Sequence, residues 1–214
     1  MSLIDLIKHP LNPELISEAA IQLGESESNV SKALGSLFPA VLGVFAQDSK
    51  QDDVINALLK TSSLDFSENL LEKANNSTEI HNIISKILGE KSEHILSHVS
   101  EYANINKSSA ENLLKIATAA TLQGIKKCAH QQGLDDQGIL SKVAENRCLI
   151  PALLPAGMSL EQLGLENLLE KNTETPVETS TSITHKTKEE VKILNQENSE
   201  KSSFWKWLLP LLIL

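Results

Sequence analysis

Apolar residues recur at three-and-four spacing along most of the chain, so the helical period is its strongest local signal. In "NPELISEAAIQLG" the residues Leu15, Ile16, Ala19 and Leu23 form one stripe. Asn12 stands where an N-cap belongs, Pro13 at the first helical position, and Gly24 at the stop. The next stretch, "SESNVSKALGSLFPAVLGVFAQ", restarts at Ser26 or Ser28 and carries Val30, Leu34, Leu37, Val41 and Phe45. It is apolar on more than one side, which predicts the central core helix, and Pro39 is expected to divide or kink it. "DDVINALLKTSS", "DFSENLLEKANN" and "STEIHNIISKILG" read as three shorter amphipathic helices. Each opens on an acidic or hydroxyl residue, and the last closes on Gly89. No sustained period-two alternation and no Asn-Gly or Asp-Gly turn competes with this reading.

A second long unit starts near Ser92 and repeats the first at an offset of 80 residues. Ser17 meets Ser97, Ser28 meets Ser108, Leu34 meets Leu114, Ala40 meets Ala120 and Leu42 meets Leu122. In both units an amphipathic helix stops at a polar turn, Gly24 to Ser28 or Asn104 to Ser108, and a long apolar helix follows. The pattern marks a candidate internal duplication. Beyond it come "LDDQGILSKVAEN" and then a stretch in which Pro151 and Pro155 are expected to break any helix. Ser159 and Gln162 there have capping-box spacing. The reading is an all-α multi-helix bundle over residues 1–171.

Residues 172–203 change character: Thr, Ser, Glu, Lys and Asn dominate, and no aromatic occurs. Such a segment buries too little apolar surface to offset its ordering entropy, so a disordered C-terminal linker is expected, with a reach on the order of 30 Å. Residues 204–214, "FWKWLLPLLIL", are apolar again. A membrane span needs about 20 apolar residues, and about half of that is present. Trp205, Lys206 and Trp207 resemble an interfacial belt, with Leu208, Leu209, Leu211 and Leu212 behind them. The expectation is a membrane anchor, the first half of a transmembrane helix that the natural chain continues.

Composition narrows the function classes. Aromatics are only 3%, so the apolar content is mainly Leu, Ile, Ala and Val, which suits helices in close contact. The formal charge is −9, Arg147 is the single arginine, and no basic cluster is present, which argues against nucleic-acid binding. Cys128 and Cys148 form no metal or redox motif and fit a reducing compartment. "MSLIDLIKHP" has no signal-peptide character, which places the domain in the cytoplasm, at the inner membrane if the anchor holds.

Certain residues carry a family likeness. Leu23-Gly24, the capping turn Ser26 to Asn29, Ala33-Leu34 and the run Pro39 to Gly43 resemble the repeated core of the bacterial DUF937 proteins, related to YidB-like proteins. "SSAENLLKIATAATLQGI" and "IPALLPAGM", with Leu154 to Gly157, resemble that family's second half. The likeness covers roughly residues 3–171. It implies an all-α fold and no activity. Some members carry a membrane helix after this domain and then an OmpA-like domain, an architecture that would make this chain an N-terminal piece.

Candidate chemistry is thin. His94 and His98 lie four apart, a spacing that suits two ligands of one metal, and His81 lies thirteen residues before His94. The sequence lacks the Glu of His-Glu-x-x-His, so a partly exposed helix face is the preferred reading. Asp52-Asp53 and Asp135-Asp136 fall at helix starts, where capping accounts for them. The apolar helices Val30 to Phe45 and Leu113 to Ile125 are core by default, and otherwise a surface for a partner helix or acyl chain. The expected function is therefore a non-catalytic interaction or scaffolding domain tethered to the bacterial inner membrane, with no cofactor, an unidentified protein partner and homo-oligomerisation left open. The alternatives are a soluble helical protein binding a partner helix or lipid, and a metal-dependent enzyme using His81, His94 and His98.

Overall fold

The chain enters its first helix at Leu3, earlier than the apolar periodicity signals. The computed structural model describes residues 2–47, 50–61, 64 and 69–168. Helix α1, Leu3–Lys8, is too short for a stripe, but Ser2 and Asp5 form a reciprocal capping box that starts it. The Ser2 hydroxyl and backbone N–H hold the Asp5 carboxyl below the usual aspartate range. Because that folded-state value is depressed, the contribution is present above the ordinary aspartate range and is lost as pH falls through the lowered value.

Helix α2, Pro13–Leu23, has the expected Asn12 cap and ends on Gly24 at φ 68°. Helix α3, Glu27–Phe45, starts from the Ser26 cap and is buried continuously from Ser36 to Phe45. It is the predicted core helix. Pro39 does not divide it: the element runs through the proline without a break. Proline removes one backbone hydrogen bond in a helix interior, at about 3 kcal/mol. Burial on all sides of α3 outweighs that loss here, since every neighbour of Pro39 from Ser36 onward is enclosed.

Helix α4 (Gln51–Lys60), α5 (Leu70–Asn76) and α6 (Thr78–Ile83) follow. The Ser77 cap of α6 is as expected, and a π turn over Ile84–Leu88 extends it to Gly89. Helix α7 is Lys91–Ala103 and α8 is Lys107–Gln132. Helix α9, Asp136–Glu145, leads to the four-residue α10, Ile150–Leu153. Pro151 does not break a helix there. It sits in the first turn of α10, where its missing N–H costs no helical bond. The Ser159 and Gln162 capping box forms, but it opens only a single 3₁₀ turn over Glu161–Leu163. Among the described residues there is no strand.

Helices α3 and α8 pack against each other at the centre, and α1, α5 and α7 pack on α8. The core side chains are almost all aliphatic, with Phe38 and Phe45 the aromatic exceptions. Buried hydroxyls stay inside their own helices: Ser36 donates to the Lys32 carbonyl, Thr118 to Leu114 and Thr121 to Ala117. These three pairings avoid a penalty of about 1–3 kcal/mol each.

Three helix-to-helix corners are built alike. Gly24, Asn104 and Gly133 each stop a helix in the left-handed conformation. Two residues later Ser26, Asn106 and Asp135 cap the next helix by accepting from Asn29, Ser109 and Gly138 N–H. The first two corners coincide at the 80-residue offset, down to the Glu25 N–H to Ala20 carbonyl bond and its counterpart from Ile105 to Ser100, both 3.0 Å. These two corners also hold each other. Asn29 Nδ2 donates to the Asn104 carbonyl at 3.1 Å, and Asn106 donates from its backbone N–H and its Nδ2 to Glu25 Oε1 at 3.2 and 2.9 Å.

Helix α1 meets α8 where α8 has no side chain. A Cβ on Gly124 would lie 2.3 Å from Ile7 Cγ1 and 2.8 Å from Ile7 Cα, whereas one on Gly35, an exposed glycine of α3, would meet nothing within 4 Å. Gly124→Ala is therefore expected to destabilise the protein by about 1–3 kcal/mol through overpacking. Gly35→Ala is expected to stabilise it by about 0.5–1 kcal/mol through helix propensity alone. Urea unfolding followed by circular dichroism measures both, and equal shifts of the same sign would refute the close contact of α1.

Candidate functional site

The residues singled out by spacing go to different places. His94 and His98 do meet, on consecutive turns of α7, with ring centroids 4.6 Å apart and planes inclined by 69°. His94 is exposed and His98 half-buried. The chain after α10 lies along this face: a Cβ on Gly164 would stand 3.4 Å from His94 Cδ2, and Tyr102 donates to the Ala156 carbonyl at 3.2 Å. The pair thus edges a packed strap. His81 is on α6, exposed, and does not complete a site. Among the described residues no three His, Cys, Asp or Glu side chains are gathered as a metal site would need.

The acidic pairs divide. Asp135 caps α9 as expected. Asp52 and Asp53 do not cap α4, whose N-cap is Lys50 with no side-chain bond. Asp53 instead takes the Lys86 ammonium at 2.8 Å, so a tertiary partner on the π turn replaces the local one. Cys128 is buried beside Gln132 Nε2, Cys148 is exposed, and the two are free thiols. The stretches Val30 to Phe45 and Leu113 to Ile125 turn most of their apolar side chains inward, so the apolar surface for a partner helix or acyl chain is enclosed.

Cations are spent on helix ends. The Arg147 guanidinium donates to the Ala46 carbonyl at the end of α3. Lys126 Nζ donates to the Thr61 and Leu64 carbonyls beyond α4, at 2.6 and 3.2 Å. Both positions set positive charge against the negative pole of a helix.

A cleft of about 330 Å³ opens between α2 and α8, floored by Leu6, Leu15 and Leu70. Glu14 and Glu18, four apart on α2, form one wall; Gln123 and Lys127, four apart on α8, form the other; His9 stands at the turn after α1. Gln123 Oε1 is buried and has no hydrogen-bond partner among the described residues. The volume is within the range of small-ligand sites, and the cleft combines an apolar floor with a few convergent polar groups. The sequence marks Leu15 as part of the apolar stripe of α2 and none of the polar residues of the walls. Each pair shows the i, i+4 spacing of a helix face, but nothing in the chain says that a face at residue 14 meets one at residue 127.

Residues 172–203, expected to be a linker, and Trp205, Lys206, Trp207, Leu208, Leu209, Leu211 and Leu212, expected to be an anchor, lie outside the described residues. Among the described residues no helix is long and apolar enough to cross a membrane.

The two-histidine edge without a third ligand leads to a direct expectation. Purified protein should come out of dialysis without stoichiometric zinc, as measured by atomic emission. A zinc-to-chain ratio near one, lost in His94→Ala, would instead make this pair a metal centre.

No curated protein and no solved structure shows significant similarity to the chain. The family model of DUF937, described as a bacterial protein of unknown function, matches residues 5–128, which run from α1 through most of α8 and include both corners of the 80-residue repeat. The chain belongs to the DUF937 family.

Proposed function

We propose that this protein is a non-catalytic interaction or scaffolding module held at the inner face of a bacterial cytoplasmic membrane by its segment Trp205 to Leu212. The observation that carries the interaction half is the cleft between α2 and α8. It is an open concavity with unspent polar groups, in a domain whose other titratable side chains are scattered or committed to helix ends. Support for the tether half is compositional: Trp205, Trp207 and Lys206 group as they do at a membrane interface, followed by Leu208, Leu209, Leu211 and Leu212. The polar stretch 172–203 supplies slack between domain and membrane. A soluble reading, in which the domain holds a partner helix or lipid, draws less support, because α3 and α8 turn most of their apolar side chains inward.

Membrane fractionation with and without residues 204–214 tests the tether. The full chain is expected to sediment with membranes and to resist a high-salt wash, and the shortened chain to move to the supernatant. An unchanged distribution would sink the tether.

A further inference from the structure

The two halves of the domain repeat at an offset of 80, but the two equivalent seats are filled unequally. In the second half, α7 and α3 flank the strap. His94 meets Gly164, and a Cβ on Gly43 would stand 2.9 Å from Leu165 Cδ1 and 3.4 Å from Leu168 Cδ2. Stepping back 80 from His94 and His98 reaches Glu14 and Glu18; stepping forward 80 from Gly43 and Gln47 reaches Gln123 and Lys127. Those four residues are the two walls of the cleft. The open cleft between α2 and α8 is therefore the counterpart of the seat that residues 159–165 help to fill. Helix α1 covers part of it, and about 330 Å³ stays open.

We propose that this cleft receives a short peptide segment of a protein partner, one bearing a basic side chain between leucine-like residues. The inference rests on the interaction-module reading above and names the chemistry of its partner. Three features select that occupant. Glu14 and Glu18 stand where the filled seat has histidines, and the structure pairs neither with a cation among the described residues. Gln123 stands where the filled seat has Gly43, so the leucine that packs against Gly43 is excluded at that point. Leu6, Leu15 and Leu70 supply the apolar floor that the flanking residues need. Lys127 sets the direction: the basic side chain lies over the two glutamates, and a carbonyl or carboxylate of the segment lies toward Lys127.

The test uses fluorescein-labelled peptides of residues 159–164, one with Glu161→Lys and one unaltered, titrated by anisotropy into the full chain in detergent micelles. The lysine peptide is expected to saturate and the unaltered one to bind at least about tenfold more weakly. Charge reversal Glu14→Lys with Glu18→Lys is expected to weaken the lysine peptide by about tenfold or more, and Glu111→Lys, on α8 outside the cleft, by less than about twofold. The milder pair Glu14→Gln with Glu18→Gln gives the same direction if the reversal disturbs folding. Absence of saturable binding, or equal affinity in the cleft variants and the wild type, overturns the seat. The fractionation test reads the tether alone. If no peptide binds while deletion of 204–214 releases the chain, the seat falls and the tether stands. The opposite pattern leaves the seat and removes the tether.

Discussion

Helix α8 is enclosed along most of its length, and the rest of the domain is arranged to cover it. From Ile116 to Leu122 every residue is buried, so no face of that segment is left to water. A helix apolar on all sides is stable only if other elements surround it. Helix α3 takes one side, α7 and α5 take others, and α1 closes in where Gly124 lets the backbone of Ile7 approach. Three per cent aromatics and many alanines are the compositional side of this arrangement, because small side chains allow several helices to approach one axis.

Burying helices this way leaves their polar ends to be satisfied, and much of the polar chemistry serves that need. Two corners satisfy one another through Glu25, Asn29, Asn104 and Asn106. The single arginine closes the end of α3, and Lys126 closes the end of α4 across more than sixty residues of chain. Residues that stand out in sequence as chemically capable have structural partners: Asp135 is a cap, Asp53 an ion-pair partner, and His94 an edge against Gly164. Glu14, Glu18 and Gln123, which line the cleft, take no such part among the described residues.

The repeat gives the cleft a meaning. Matching corners show that the first and second units share a local design, with left-handed stop, cap and inward helix at the same spacing. They differ in what lies against the outer helix. The second unit is followed by the strap that packs on α7, whereas the first has only the short α1 before it. A repeated unit with unequal covering leaves one seat open, and unequal covering is a property of the whole chain rather than of either unit.

Helix identity, most helix starts and stops and the all-α class were legible in the sequence, because capping and periodicity act over three or four residues. Asn12, Pro13, Gly24, Ser26, Ser77, Gly89 and Asp135 all do locally what their chemistry suggests. Where a local rule failed, a distant contact had overruled it. Pro39 stays inside α3 because burial on every side outweighs one lost hydrogen bond, and Asp53, in the first turn of α4, pairs with Lys86 instead of capping. Helix α1 was passed over because six residues are too few for a period, and its place is set by a glycine 117 positions on. The cleft was hidden for the same reason. Its walls are ordinary polar helix faces until the packing of α2 and α8 around the core brings residues 14 and 127 to one opening, and only tertiary structure decides that.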